Sequence, residues 1–148
     1  MAVIPDISIV GRFTRMTNEQ LYAILEDEAN LLVEKIKLSI PATGIRDTQN
    51  RLANCIKYEK IDNLTIRVFA DENAAPYFSY LEHGTQPHDI YPKNKQALKF
   101  SINGKNVFAK RIRHPGTRAY QPFNLSVIEN KNNIIRRVKT LSELNPEK

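Results

Sequence analysis

Two short polar pairs, Asp62-Asn63 and Asn103-Gly104, each interrupt a run of alternating apolar residues, and they constrain the fold more than any other feature of the chain. Such pairs tolerate the positive φ angles of a tight hairpin turn, so each predicts two antiparallel strands joined directly. Directly joined strands cannot pair in parallel, which removes the doubly wound architectures. The first hairpin is expected over residues 55–61 and 64–69, with Leu64, Ile66 and Val68 facing inward. The second is expected over residues 97–102 and 107–113, with Leu98, Phe100 and Ile102 on one face.

Helical periodicity flanks these hairpins. Leu21, Leu25, Ala29, Leu32, Ile36 and Ile40 recur at spacings of three and four behind a Thr17…Gln20 capping-box pattern, which predicts an amphipathic helix over residues 18–40. Glu19, Glu26, Asp27 and Glu28 lie toward its positive dipole end, and Pro41 is expected to stop it. Pro41-Ala-Thr43-Gly44 reads as a turn and residues 46–55 as a short helix with Leu52 and Ile56 on its apolar side. Residues 77–83 give two helical turns ended by Gly84, and residues 85–94, with two prolines, a long loop. His114-Pro115-Gly116-Thr117 is a further turn. Pro122 suits the first turn of a closing helix, whose apolar stripe Phe123, Val127, Ile134, Val138 and Leu141 runs to about residue 144. The expected class is α+β: an antiparallel sheet of two β-hairpins packed against a long N-terminal helix and a C-terminal helix. A single domain over residues 1–148 is expected, with an extended arm or short edge strand within residues 1–16 and a flexible tail at 141–148.

At 148 residues, 41% hydrophobic and 26% charged, the composition is that of a globular protein rather than a disordered or fibrous one. No apolar run approaches the ~20 residues of a membrane span, and no signal-peptide pattern opens the sequence, so no membrane partner is expected. The single cysteine, Cys55, excludes an intrachain disulfide, agrees with a reducing cytoplasm, and reads as a small buried apolar residue rather than a nucleophile. The net charge of +6 is unevenly placed. No Asp or Glu occurs between Ile90 and Ile128, where Lys93, Lys95, Lys99, Lys105, Lys110, Arg111, Arg113 and Arg118 sum to +8, while the residues before Ile90 carry −4. That polarity favours association with a partner, either an acidic protein face or nucleic-acid phosphates.

The order of these motifs resembles the head-tail joining, or tail-completion, proteins of tailed bacteriophages. The resemblance runs through Pro41-Ala-Thr43-Gly44, Tyr80-Leu-Glu82-His-Gly84-Thr85, Ala97-Leu-Lys-Phe100, Phe108-Ala-Lys110, His114-Pro115-Gly116-Thr117 and Gln121-Pro122-Phe123. Asn124-Leu-Ser126 then follows where family members commonly have an apolar, alanine-rich helix start. The resemblance implies a non-catalytic virion protein assembling as a ring in the neck, against connector, tail-terminator or tail-tube proteins, with packaged DNA as a further contact. Its location would be the host cytoplasm during assembly and the virion afterwards. A closed ring needs a heterologous interface, and an acidic first helix and a basic hairpin offer two complementary faces for one.

The same residues admit other chemistries. Glu82, His83 and His88 could suggest acid-base catalysis, and adding His114 could suggest a metal site in a small hydrolase. His83 and His88 do not have helical i, i+4 spacing, however, and no Cys or Asp supplies ordinary zinc-ligand spacing, so no catalytic, metal or cofactor site is expected. The local reading is that Glu82 caps or pairs, that Gly84 and Gly116 take conformations closed to other residues, and that the histidines hydrogen-bond loops. Tyr77, Phe78 and Tyr80 read as core and interface packing. The alternative function is a nucleic-acid-binding module using residues 93–118.

Overall fold

A computed structural model describes residues 7–10 and 16–144. The rest of the expected N-terminal arm and the last four residues of the expected tail lie outside the described residues.

The long helix α1 (Asn18–Ala42) starts as its sequence dictates. Thr17 Oγ1 accepts from the Gln20 amide at 3.2 Å, and Gln20 Oε1 accepts from the Thr17 amide at 3.0 Å, closing a capping box. Leu25, Ala29, Leu32, Ile36 and Ile40 are fully or almost fully buried, as the stripe requires. The helix overruns the expected stop at Pro41 by two residues, because a proline in the last turn removes one amide without breaking the turns before it. Termination falls instead to Thr43, whose Oγ1 donates to the Ile40 carbonyl at 2.6 Å, and to Gly44 at φ 78°.

The short helix α2 (Arg51–Asn54) is smaller than its expected 46–55. Asp47 holds the approach by accepting from the Arg51 and Ala53 amides, and Asn50 stands at φ 52°, which keeps residues 46–50 out of the helix. Strands β2 (Ile56–Asp62) and β3 (Thr65–Ala70) form the first hairpin, and β1 (Ile7–Val10) adds antiparallel to the other edge of β3. Ile66, Val68 and Ala70 alternate inward onto α1, while Arg67 faces away and pairs with Glu59 across the ladder. The Asp62-Asn63 turn takes no positive φ. Asp62 Oδ1 accepts from the Leu64 amide at 2.7 Å and a register shift between Lys60 and Asp62 absorbs the extra residue, so an Asx turn with a bulge replaces the expected geometry.

After the short helix α3 (Phe78–His83) comes the main departure from expectation. Within the expected 85–94 loop, β4 (His88–Ile90) is a strand, paired antiparallel with β7 (Ile112–His114). The second hairpin, β5 (Leu98–Ile102) and β6 (Lys105–Ala109), is a separate two-stranded ladder, so residues 107–113 are divided between β6 and β7. Asn103 at φ 50° and Gly104 at φ 78° give it the tight turn that Asn-Gly predicts. The class is α+β, with antiparallel sheets beside long N- and C-terminal helices, but the two hairpins do not share one sheet.

The closing helix α4 (Pro122–Leu144) takes in residues 141–144 of the expected tail and lies antiparallel along α1. The register is fixed at three points: Ser39 Oγ donates to the Pro122 carbonyl at 3.2 Å, Lys35 bonds Asn130, and Arg137 grips Glu28 with two parallel N–H donors, Nε reaching Oε1 at 2.7 Å. Glu28 is only 3% exposed, so its carboxylate depends on that fork for charge compensation. Arg137→Ala should cost about 2–3 kcal/mol in chemical denaturation, since a buried charge loses its partner. Replacing Glu28 and Arg137 together by Leu and Met should recover most of that loss.

Candidate functional site

The two glycine motifs, 32 residues apart, meet in space. Thr85 and Thr117 form an isolated antiparallel bridge: the Thr85 amide donates to the Thr117 carbonyl at 2.8 Å, and the Thr117 amide donates back to the Thr85 carbonyl at 3.1 Å. Each preceding glycine lies against the other strand's backbone. A Cβ on Gly84 would stand 2.4 Å from the Thr117 carbonyl oxygen, and one on Gly116 would stand 2.3 Å from that of Thr85. Both also have positive φ, 71° and 88°. The crossing therefore admits no side chain at either position, and it is reciprocal.

The residues around the crossing complete it. The Gly116 amide donates to His114 Nδ1 at 3.0 Å, which places the His114 ring proton on Nε2, and the His114 ring stacks on its cross-strand partner His88 at 5.0 Å between centroids. Two residues before Gly84, Glu82 is 1% exposed and receives the Phe123 and Asn124 amides at 3.1 and 2.9 Å, one on each carboxylate oxygen. These are the open donors of the first turn of α4, whose first residue, Pro122, has no amide hydrogen. Glu82 thus supplies from about forty residues away the cap that Gln121 does not, and its charge faces the positive end of the helix dipole. Glu82 does cap, but not locally. The missing Ser, Thr, Asp or Asn before Pro122 was the sequence signal that a remote group must serve.

The eight basic residues of the acid-free segment divide into two groups. Arg111 lies 2.9 Å from Asp89 Oδ2, and Arg113 approaches Oδ1 to 3.8 Å, too far for a hydrogen bond. Arg118 lies over the Tyr120 ring at 4.6 Å. Lys93, Lys95, Lys99, Lys105 and Lys110 are exposed and make no ion pair with described residues. The five lysines on and beside the β5–β6 hairpin therefore carry most of the exposed positive charge of this segment, with Arg113 and Arg118 also exposed. None of the ten residues of its two strands is buried. Its register places Leu98, Phe100, Val107 and Ala109 on one face, and Lys99 opposite Phe108 on the other. Phe108 therefore does not share the face of Phe100, and it is 65% exposed beside a lysine. Of the aromatic triplet, Phe78 is core, while Tyr77 and Tyr80 are 41% and 57% exposed.

Among the described residues no group of three or more His, Cys, Asp or Glu side chains is arranged to hold a metal ion, and no helix is long and apolar enough to cross a membrane. Burial pushes the Cys55 thiol up to about 12, and its Sγ donates to the Leu52 carbonyl.

The family described as "Bacteriophage HK97-gp10, putative tail-component" matches residues 8–84, just over half of the chain. The chain belongs to this family. It is a structural tail component of a bacteriophage, located in the virion and in contact with other virion proteins. No curated protein and no solved structure matches it. The matched span ends at Gly84, so the basic hairpin and α4 lie beyond it.

Two outcomes follow for the site. Gly84→Ala and Gly116→Ala should each cost about 3 kcal/mol or more, through backbone overlap added to conformational strain. Gly104→Ala, also at positive φ but with nothing within 4 Å of its Cβ position, should cost only about 1–2 kcal/mol. Equal melting temperatures for the three would remove the crossing as the cause. Cys55 should resist thiol reagents at pH 8 in the native state and react fully in denaturant. Because its folded pKa lies above the unfolded one, this thiol's contribution to stability is complete below pH 9 and is lost as pH rises toward 12.

Proposed function

We propose that this tail component is a non-enzymatic neck protein, present as a ring of copies where the tail meets the head, between connector and tail-terminator or tail-tube proteins. The single observation that carries the reading is the β5–β6 hairpin: it has no buried residue, stands on a backbone crossing that tolerates no side chain, and presents unpaired lysines beside an exposed phenylalanine. A surface of this kind, carried beyond the paired β4 and β7 strands, is suited to a heterologous contact with a protein neighbour. Three groups capable of acid-base or nucleophilic chemistry are engaged in holding the fold: both oxygens of Glu82 bind backbone amides, His114 Nδ1 accepts from Gly116, and the Cys55 thiol is buried and neutral.

The nucleic-acid reading rests on the same five lysines. Phosphate contact needs charge but no apolar anchor, and Phe108 at 65% exposure adds an anchor, which favours a protein partner. A lysine-only surface facing DNA would show binding to duplex DNA that weakens steeply with salt.

Phage carrying a nonsense mutation in this gene, grown in a non-suppressing host, should give DNA-filled heads and separate tails by electron microscopy. Complementation by the wild-type chain should restore joined, infectious particles. Joined particles without the protein would overturn the neck assignment, and a single copy per wild-type particle by quantitative mass spectrometry would overturn the ring.

A further inference from the structure

The outward face of α1 has the same alternation of apolar and charged groups as the hairpin, with the opposite sign. Asp27, Leu31, Glu34 and Leu38 follow spacings of four, three and four, so they form one stripe on the side of α1 away from the buried Leu25, Ala29, Leu32 and Ile36. Leu31 is 48% and Leu38 75% exposed, Asp27 is exposed, and the Glu34 side chain is 64% exposed, its ion partner among the described residues being Lys37 a turn away at 2.9 Å. The stripe runs about 16 Å from Asp27 to Leu38 at the helical rise. Counted in the same way, a five-residue strand spans about 14 Å, so the hairpin can lie along most of the stripe, whose charge has the opposite sign.

We propose that these two surfaces are the two halves of the ring contact: the β5–β6 hairpin of one copy lies on the outward face of α1 of the next. Phe108 seats between Leu31 and Leu38, and Lys99 and Lys110 face Asp27 and Glu34. This rests on the ring reading and names its interface. The contact is heterologous, since each copy offers its hairpin on one side and its helix on the other, and such a contact closes around an axis instead of stopping at a dimer. A second exposed apolar stripe, Leu125, Ile128 and Ile135 on α4, is bordered by Lys131 and Arg136 as well as by Glu129, so it lacks the acidic character of the α1 stripe and is left to a different partner.

Cross-linking in assembled particles tests the contact directly, because the native thiol is buried. Phe108→Cys combined with Leu31→Cys in one chain should give, on mild oxidation, a ladder of covalent dimers and higher oligomers on a non-reducing gel. Neither single variant should do so, nor should Phe108→Cys with Ile128→Cys. In parallel, Lys99→Glu with Lys110→Glu should reduce incorporation into particles at least tenfold while circular dichroism shows a folded subunit. Adding Asp27→Lys and Glu34→Lys to that chain should restore incorporation to within threefold of wild type. Several copies per particle with no ladder and no rescue would overturn this contact and leave the ring standing. One copy per particle would remove ring and contact together, and a ladder from the Ile128→Cys pair would transfer the hairpin to α4 and overturn the assignment to α1.

Discussion

The second half of the molecule depends on the approach of two backbones, at Gly84-Thr85 and Gly116-Thr117, to a distance that a single Cβ would occupy. Two glycines are needed because each chain presents its carbonyl to the other's α-carbon; relieving one side would leave the other blocked. Once that crossing is made, several positions are determined. Leu81 accepts from the Tyr120 amide at 2.9 Å, and Glu82 stands beneath the first turn of α4. β4 and β7 are brought into register with His88 against His114. The orientation of α4, and hence its antiparallel seat along α1, follows from a carboxylate held in place by a crossing two residues away.

The buried charges and the exposed ones do different work. Glu28 and Glu82 are almost completely removed from water, and each is satisfied by a pair of donors whose geometry fixes a helix: a guanidinium fork in one case, two helix-terminal amides in the other. Such groups contribute little net free energy relative to apolar replacements, but they penalise any other register. The lysines of the hairpin have no partner within the described chain, so they contribute almost nothing to folding and are free to contribute to association. The acidic complement on α1 is likewise divided, since Glu28 is consumed internally while Asp27, one residue before it, faces outward.

Legibility in the sequence followed the locality of the cause. The α1 capping box, the Asn103-Gly104 turn, the α4 stripe as far as Val138 and the inward set of β3 are each written within a few residues of where they act, and each is found where periodicity and turn chemistry place it; Leu141, the last residue expected in the stripe, is exposed. The β4–β7 pairing was not legible, because a three-residue strand has too few positions to show alternation and its partner lies 24 residues on. The division of the second hairpin from the first sheet was hidden for a related reason: an alternating strand specifies which side chains share a face, not which sheet it joins. For the candidate site, the glycine motifs and the lysines could be named in advance, whereas the meeting of the glycine motifs at the Thr85–Thr117 bridge and the pairing of Arg111 with Asp89 depend on long-range contacts.

A two-stranded hairpin with no buried residue is marginal in water, which raises the question of what maintains β5–β6. Two local terms favour it: the positive-φ Asn-Gly turn, and the cross-strand pair Phe100–Val107 on one face. The third is closure of its base. The β4–β7 ladder, standing on the glycine crossing, brings the chain back together between Ile90 and Ile112, so the hairpin segment closes a loop whose ends are already fixed and the entropy of bringing them together is spent once for both elements. The hairpin is thereby held by its root and by its half-buried face of Leu98, Phe100, Val107 and Ala109, while the opposite face stays exposed. The root of the hairpin is thus set by backbone geometry, and the exposed face that carries Lys99 and Phe108 takes no part in holding it.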